Sequence, residues 1–351
     1  MADPRTLTAR ELNRALLARQ FLLERSSLPM VATIERIGGL QTQYAPSGYI
    51  GLWSRMRDFR RHALTEALHQ RRVIQATLLR STIHMVTPRD YWLFLAAVRQ
   101  PRQDWWRRVT RHQISESDVK GAVQALREQL ANGPRRADDL RATLAERGLP
   151  AFAFAGVALW LDMVRVPPSG TWEQRRADLY GLAEAWIRPA GHSESTALEH
   201  VIRRYLGAFG PATVREIADW AGIPHATLAP VLAPMSLRHF LDEKGKDLID
   251  LPRAPLPDAD TPAPVRFLPT WDATLLVHAR RTQILPEQVR PLVFNTKTPH
   301  SVPTFLIDGA VAGTWREEGG RIELKPFEPI PKSVRRELDD EARRLAAFFR
   351  P

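Results

Sequence analysis

The N-terminal part of the chain changes from a helical to a strand period. The stretch TARELNRALLARQFLLER opens with Thr8 three residues before Glu11, the spacing of a capping box, and then places leucines on one helical face. VATIERIGG (31–39) predicts a second helix that ends at its two glycines, and RHALTEALHQRR (61–72) predicts a third. VIQATLLRSTIHMVTP (73–88) alternates and is rich in β-branched residues, which predicts two strands. Three helices followed by a strand ribbon is the element order of a winged helix.

The same order is predicted twice more. GPRRADDLRATLAERG (133–148) and GPATVREIADWAG (210–222) both open with Gly-Pro and carry an acid six residues after the glycine, at Asp139 and Glu216. Each is preceded by a helical pattern and followed by a strand ribbon. The two stretches start at residues 133 and 210, a spacing that fits tandem units of one supersecondary motif each. We predict three winged-helix units, over residues 1–114, 115–194 and 195–255.

A different pattern follows a linker rich in proline and aspartate, PRAPLPDADTPAP (252–264). Residues 263–351 predict strands, a hairpin turn at IDGA, and the terminal helix KSVRRELDDEARRLAAFF. Within this segment, PLVFNTKTPHSVPTF (291–305) has a polar tip between apolar arms, so we expect a hairpin or loop able to reach a ligand. The predicted fold class is therefore α+β, predominantly helical, with a β-rich C-terminal segment.

Composition excludes several kinds of chemistry. The chain has no cysteine, which rules out disulfides, thiolate nucleophiles, iron–sulfur clusters and cysteine zinc sites. Its ten histidines lack the i, i+4 spacing of a helical metal site, so we predict no metal and no cofactor. No apolar run approaches the roughly 20 residues of a membrane helix, and no signal-peptide core is present. We expect a cytoplasmic, nucleoid-associated protein.

The chain is strongly basic. Its net charge is +11 and its pI is about 10.5, which suits a polyanionic partner such as DNA. Lysines number 6 of the 50 basic residues, so 50 − 6 leaves 44 arginines. Because a GC-rich genome produces the same arginine bias, charge alone leaves nucleic-acid binding open.

Two glutamines stand one residue apart in GGLQTQYAPSGYIGLWSR (38–55), at Gln41 and Gln43. They lie between a di-glycine and a Pro-Ser-Gly sequence that predicts a turn. An amide neither gives nor takes a proton at neutral pH, so it can only hold a base edge, a phosphate or a water. From spacing alone, such a pair more often caps carbonyls or faces solvent.

Several motifs together give this chain its resemblance to a known family. In order along the chain they are LQTQ (40–43), GLWSR (51–55), LLRSTIHMV (78–86), FGPATVREIADW (209–220), TWDATLLVHARR (270–281) and PTFLIDGAVAGTW (303–315). The sequence resembles the winged-helix alkylpurine DNA glycosylases of bacteria, the AlkZ/YcaQ type, over essentially its whole length. No single motif is responsible for the similarity.

The resemblance implies a function for the two amides. In that family a Gln-x-Gln or Gln-x-Asp motif lies at the centre of a concave, DNA-facing surface of three winged helices, and Gln41 and Gln43 take its two positions. Thr42 departs somewhat from the small or apolar residue usual between them. Glutamine at the second position is typical of the branch found in antibiotic producers, which is associated with self-resistance to genotoxins that alkylate purine N7. Some of its members open interstrand crosslinks.

The implied substrate explains why amides are sufficient. A purine alkylated at N7 carries a positive charge and leaves as a neutral base, so no acid is needed. A water positioned by two amides can then complete the hydrolysis. A bifunctional lyase needs an amine for a Schiff base, and none of the six lysines lies near the motif in sequence, so we predict monofunctional excision.

Other candidate residues have both a functional and a structural interpretation. His84 and Asp272 are possible supporting residues, although the patterns favour a hydrogen-bonded structural histidine in a wing and a turn or helix-cap aspartate. The arginines and tryptophans of DWWRRVTRHQ (104–113) fit either base stacking or a core helix with an exposed face. Candidate DNA contacts, which also fit an ordinary solvated surface, are Arg55, Arg80, His278, Arg280, Arg281, Lys297 and His300.

Two functions of different classes remain open. The first is a monomeric DNA glycosylase acting on double-stranded DNA that contains alkylated purines, without a membrane partner. The second is a winged-helix transcriptional regulator without catalysis. The candidate recognition helix PHATLAPVLAPM holds no Arg, Lys, Asn or Gln to contact base edges, and this favours the enzyme.

Overall fold

The computed structural model describes residues 4–275, 279, 281–295 and 300–350, and its elements begin and end as follows. The helices are α1 Ala9–Arg19, α2 Met30–Arg36, α3 Pro46–Arg55, α4 Arg61–His69, α5 Pro88–Thr110, α6 Glu116–Ala131, α7 Ala137–Glu146, α8 Ala153–Val157, α9 Ala183–Trp186, α10 Glu194–Phe209, α11 Val214–Ala221, α12 Ala229–Leu232, α13 Arg290–Val293 and α14 Lys332–Phe349. The strands are β1 Thr6–Leu7, β2 Leu40–Gln41, β3 Ile74–Thr77, β4 Ile83–Val86, β5 Arg135–Arg136, β6 Met163–Arg165, β7 Leu179–Leu182, β8 Arg238–Asp242, β9 Asp247–Asp250, β10 Arg266–Leu268, β11 Phe294–Asn295, β12 His300–Ser301, β13 Thr304–Ile307, β14 Ala310–Glu318 and β15 Arg321–Pro326. Short 3₁₀ turns lie at Leu79–Ser81 and His225–Thr227. The predicted α+β class is confirmed.

One element order occurs repeatedly along the first two thirds of the chain. A helix, a short strand, two helices and two strands follow one another in α2-β2-α3-α4-β3-β4 and again in α6-β5-α7-α8-β6-β7. In the third segment, from α10 to β9, a β-bridge between Ala212 and Ile249 takes the place of the short strand. This is the order expected of each unit. The winged-helix assignment and the boundaries at 114, 194 and 255 stay predictions.

The strands of the first two segments form one sheet. Its order is β2-β4-β3-β6-β7-β5 with every pair antiparallel, and the two segments join where Gln75 of β3 faces Arg165 of β6. An edge strand presents unpaired N–H and C=O groups, so two such edges satisfy one another when they meet. The two predicted ribbons are therefore parts of a single surface.

The N-terminal residues pair with the third segment. β1 adds a parallel strand to the β8-β9 hairpin, and α1 packs against α10. Arg19 of α1 is buried and bonds Asp250 through two nitrogens, at 2.7 and 2.9 Å. The same arginine donates to the carbonyl of Pro255, and Arg14 donates to that of Thr261. The segment predicted as a linker is irregular, as expected, and these arginines hold it against α1.

The C-terminal segment is built on the sheet β10-β13-β14-β15, covered by α14. The predicted IDGA turn is confirmed, since Ile307 pairs with Ala310 and the two residues between them, Asp308 and Gly309, have φ of 45° and 81°. Positive φ at both positions is what a two-residue hairpin turn requires. β11 and β12 form the hairpin expected within residues 291–305, and its tip lies outside the described residues.

One local prediction was wrong. The Pro-Ser-Gly sequence at 46–48 does not form a turn but opens α3, with Pro46 in the first turn of the helix. Proline has no N–H to donate, and the first helical turn needs none, so the residue that suggested a turn fits a helix start equally well. No helix within the described ranges is long and apolar enough to span a membrane.

Candidate active site around the glutamine pair

Two glycines turn the chain from α2 onto the sheet. Gly38 and Gly39 have φ of +79° and +82°, a region that L side chains rarely adopt. A Cβ added to Gly39 would lie 2.9 Å from the Cγ1 atom of Val86. The turn allows β2 to pair with β4, so that Gln41 stands opposite His84. Residues opposite each other in such a pair share one face of the sheet.

Gln41 is held by Arg80. Its side chain is 7% exposed, and its Oε1 accepts a hydrogen bond of 2.9 Å from Nη2 of Arg80. Nη1 of the same arginine donates to the carbonyl oxygen of Trp220, in the last turn of α11. Arg80 and Ser81 both have positive φ, 50° and 59°, in the tight connection between β3 and β4. Burial lowers the pKa of Arg80 to about 10, so the guanidinium remains charged at neutral pH.

Gln43 is exposed, and a backbone group holds it. Its Oε1 accepts a bond of 2.7 Å from the N–H of Ile83. Thr42, between the glutamines, turns inward with 1% exposure, and its hydroxyl accepts a bond of 3.3 Å from Gln75. Gly48 makes room for it, because a Cβ there would lie 2.9 Å from the Thr42 methyl group. The threonine is accommodated by a polar partner in an otherwise apolar position.

His84 is a neutral residue within the sheet. It is 3% exposed, and its Nδ1 lies 3.0 Å from the carbonyl oxygen of Thr82, which fixes Nδ1 as the protonated nitrogen. Burial, reinforced by the charge of Arg80, lowers its pKa from 6.5 to about 3. The imidazole is therefore uncharged at neutral pH and cannot act as a general acid. It lies opposite Gln41 in the sheet.

Arg55 and Asp272 form a buried ion pair. Two guanidinium nitrogens donate to the two carboxylate oxygens at 2.8 and 2.9 Å, and both side chains are at most 3% exposed. Asp272 also accepts bonds from the N–H and hydroxyl of Thr274, which is the turn geometry considered for it. The structure directs the charge of Arg55, a candidate DNA contact, inward at Asp272.

Gln41 and this ion pair border the same small cavity. It is lined by Gln20, Gly39, Leu40, Gln41, Ser47, Arg55, Pro269, Trp271, Asp272 and Ala273. Its volume, about 10 Å³, is that of a single water. The hydroxyl of Ser47 is buried and has no hydrogen-bond partner in the described parts of the chain. The structure thus brings Gln41, Arg55 and Asp272 together, with Gln43 on the outer side.

The remaining predicted contacts are placed as follows. Arg281 is 6% exposed and donates to the Tyr205 hydroxyl at 2.9 Å, so its guanidinium is directed at the protein interior. Arg80 is partly buried and donates to Gln41 and Trp220. Three predicted contacts, His278, Arg280 and Lys297, lie outside the described residues, as does the side chain of His300.

A larger cavity, of about 530 Å³, lies away from the glutamines. It is formed by the end of α5 and the start of α6. Trp106, from the arginine- and tryptophan-rich stretch, is 7% exposed there and packs against Gly156, whereas Trp105 is 54% exposed. Trp106 is thus a core anchor. Over the described residues, no group of three or more His, Cys, Asp or Glu could hold a metal ion.

Residues that the sequence did not identify complete the site. Gln20 is 1% exposed and accepts from Arg55 while donating to the carbonyl of Ala208. The Trp220 carbonyl fixes Arg80 from a segment 140 residues away. Neither contact has a local signal in the sequence. Gln20 meets partners that are distant in the chain, and any residue type can supply a backbone carbonyl.

Comparison with known proteins gives the family. No curated protein matches the sequence. Among solved structures, the Streptomyces sahachiroi DNA glycosylase AlkZ is similar, with a TM-score of 0.79 over 98% of this chain and 97% of that one at 18% identity. At that identity the likeness shows the fold. A family model described as "DNA glycosylase AlkZ-like" matches residues 34–348, so this chain belongs to the AlkZ-like DNA glycosylase family.

Proposed function

We propose that this DNA glycosylase hydrolyses the N-glycosidic bond of purines alkylated at N7, and that Gln41 and Gln43 are its catalytic residues. The observation that supports this best is the pairing of the carboxylate that lines the cavity beside Gln41. Asp272 is the one carboxylate among the described residues that line the cavity beside Gln41, and Arg55 already neutralises it. No carboxylate in this lining is free to act as a base, whereas the amide of Gln41 borders the cavity and that of Gln43 is exposed two residues further along the chain.

Hydrolysis of a glycosidic bond normally uses two carboxyl groups, one to protonate the leaving group and one to act as base or nucleophile. A cationic N7-alkylpurine removes the first requirement. As the bond to the sugar breaks, its electron pair neutralises the charged ring, and a neutral base departs. Water adds to the sugar carbon and releases its proton to solvent. A general base would contribute roughly 3–5 kcal/mol to lowering the barrier, which such a substrate does not require.

The product we expect is an intact abasic site. A lyase reaction needs an amine to form a Schiff base with the opened sugar. The described lysines do not line the cavity beside Gln41; they are Lys120, Lys244, Lys246, Lys325 and Lys332. Strand cleavage by the purified protein would contradict monofunctional excision.

Bulky adducts are part of the proposal. The cavity beside Gln41 has about the volume of one water, too small to receive a purine. A damaged base that is recognised without being flipped into a closed pocket can carry a large substituent. Together with glutamine at position 43, this supports action on natural-product adducts and interstrand crosslinks, in genotoxin self-resistance or base excision repair.

Single-turnover excision tests the proposal. Purified protein is mixed with a duplex containing one N7-methylguanine, and base release is followed as alkali-labile breaks. We expect Gln41→Ala and Gln43→Ala each to slow release by about 10–10²-fold while affinity for the duplex stays within about twofold. Gln124→Ala, which truncates an exposed glutamine on α6, serves as the matched control and excises at the wild-type rate.

Two results would contradict the proposal. If the double alanine variant released the base as fast as wild type, the amides would have no part in the chemistry. If no N7-alkylated duplex lost its base while one promoter sequence bound tightly, the winged-helix regulator would be the better hypothesis.

A further inference from the structure

The two amides of the glutamine pair are held differently, and the difference assigns them different roles. We infer that Arg80 is a positioning residue that makes Gln41 a hydrogen-bond donor toward the lesioned nucleotide, leaving Gln43 as the amide whose carbonyl receives the water. This inference rests on the proposed function. It concerns which role each of the two amides has and which residue sets the orientation of Gln41.

The orientation of the Gln41 amide follows from the chemistry of its partner. A guanidinium only donates, so the Gln41 atom 2.9 Å from Nη2 of Arg80 has to be the oxygen. Nε2 is then fixed on the opposite side, and it donates to no described residue. The charged partner also draws electron density from the oxygen, which makes it a poor acceptor for a second group and strengthens the N–H donors.

Gln43 differs in partner and in exposure. A single neutral backbone N–H, that of Ile83, meets its Oε1 at 2.7 Å. A carbonyl oxygen has two lone pairs, and this side chain is exposed, so the second pair faces outward. Within the described parts of the chain, no arginine or lysine side chain donates to it. Gln43 is therefore the better acceptor for a hydrogen of the attacking water, and Gln41 the better donor.

Arg80 is held on several sides by groups of the protein, which engage two of its five N–H donors. Nη1 donates to Trp220, Nη2 to Gln41, and its backbone has a φ of +50°. Gly222, the residue that ends α11, packs so closely that an added Cβ would lie 3.2 Å from the Arg80 backbone. The guanidinium thus connects the motif to the third segment of the chain.

A double-mutant cycle tests the inference. Excision of N7-methylguanine is measured for wild type, Arg80→Met, Gln41→Ala and the double variant. If Arg80 acts through Gln41, Arg80→Met slows excision by about 10-fold in the wild-type background and by less than about twofold once Gln41 is alanine. Additive losses would overturn the inference.

Salt dependence of DNA binding separates positioning from phosphate contact. Removing one phosphate contact lowers the slope of log K against log salt by about 0.9. We expect Arg80→Met to leave that slope unchanged on an undamaged duplex. A slope lower by about one would show that Arg80 contacts DNA and would overturn the inference.

Carboxylate substitutions keep the inference testable where Arg80→Met folds poorly. Gln41→Glu keeps the size of the side chain and its contact with Arg80 but has no N–H, so we expect it to be no faster than Gln41→Ala. Gln43→Glu keeps an acceptor, so we expect it to be faster than Gln43→Ala. A fast Gln41→Glu enzyme would refute the donor role. If wild type itself released no base, the proposed function would fail instead, so the two failures are distinguishable.

Discussion

The buried pair of Arg55 and Asp272 gives the sharpest test of what holds the site together. Asp272→Asn changes the shape of the side chain very little but removes its charge. Arg55 would then be buried without a counterion, at 2% side-chain exposure, and its acceptors would all be neutral: the oxygen of the new amide, the carbonyl of Gly51 and the amide oxygen of Gln20. In the wild type the carboxylate offsets the free-energy cost of removing the guanidinium from water, and in the variant that cost would be left uncompensated.

The size of the effect follows from burial. Removing one partner of a buried ion pair costs about 3–5 kcal/mol. Unfolding entropy is about 2.1 cal/mol/K per residue, so a chain of 351 residues loses about 0.7 kcal/mol of stability per degree near its midpoint. The expected fall in Tm is therefore about 4–7 °C by calorimetry. Glu323→Gln, which breaks the exposed pair with Arg316, is the matched control and should cost less than about 1 kcal/mol.

Excision by the same variant decides between a structural and a catalytic carboxylate. We expect Asp272→Asn, assayed at 25 °C where it remains folded, to lose less excision activity than Gln41→Ala. An Asp272→Asn protein with an unchanged Tm and no excision would refute the argument. The carboxylate would then act on the substrate, and Arg55 would need no counterion.

Two further predictions concern the sheet. The pKa of His84 is about 3 in the fold and 6.5 when unfolded, so between those pH values only the unfolded chain takes up this proton. Stability is therefore lost as the pH falls below 6.5, by about 2 kcal/mol at pH 5. Urea unfolding should show a smaller loss in His84→Gln, and parallel pH profiles of the two proteins would contradict the prediction. Gly39→Ala places a side chain at a positive φ and against Val86, so we expect it to lower the free energy of unfolding in urea by about 1–3 kcal/mol. Gly191→Ala, where an added Cβ meets nothing within 4 Å, is the control and should be nearly neutral. Equal effects at the two glycines would show that the turn tolerates the methyl group.

Features determined by neighbouring residues could be predicted from the sequence. Thr8 caps α1 through the predicted box with Glu11, and the IDGA turn has both positive φ values. The helix at 332–349 spans the stretch assigned to it. In each case the residues that fix the geometry lie within one turn of one another, so their types alone are sufficient.

Partners distant in the chain could not be predicted. Arg55 and Arg281 were candidate DNA contacts because they are cationic. The partner of Arg55 lies 217 residues away, and that of Arg281 lies 76 residues away. An arginine that is buried by tertiary packing looks identical, in a sequence, to one that faces DNA. Burial decides its role, and residue type does not report burial.

The contacts around the glutamine pair come from three separate parts of the chain, and this bears on how the site forms. β2 and the residues directly after it supply the amides, the connection before β4 supplies Arg80, and the end of α11 supplies the carbonyl that holds Arg80. The C-terminal segment supplies Asp272 for Arg55. Without the later segments, both guanidinium groups would lose acceptors, and an unpaired buried cation costs several kcal/mol. The orientation of Gln41 is therefore a property of the assembled chain, although the motif that contains it is three residues long.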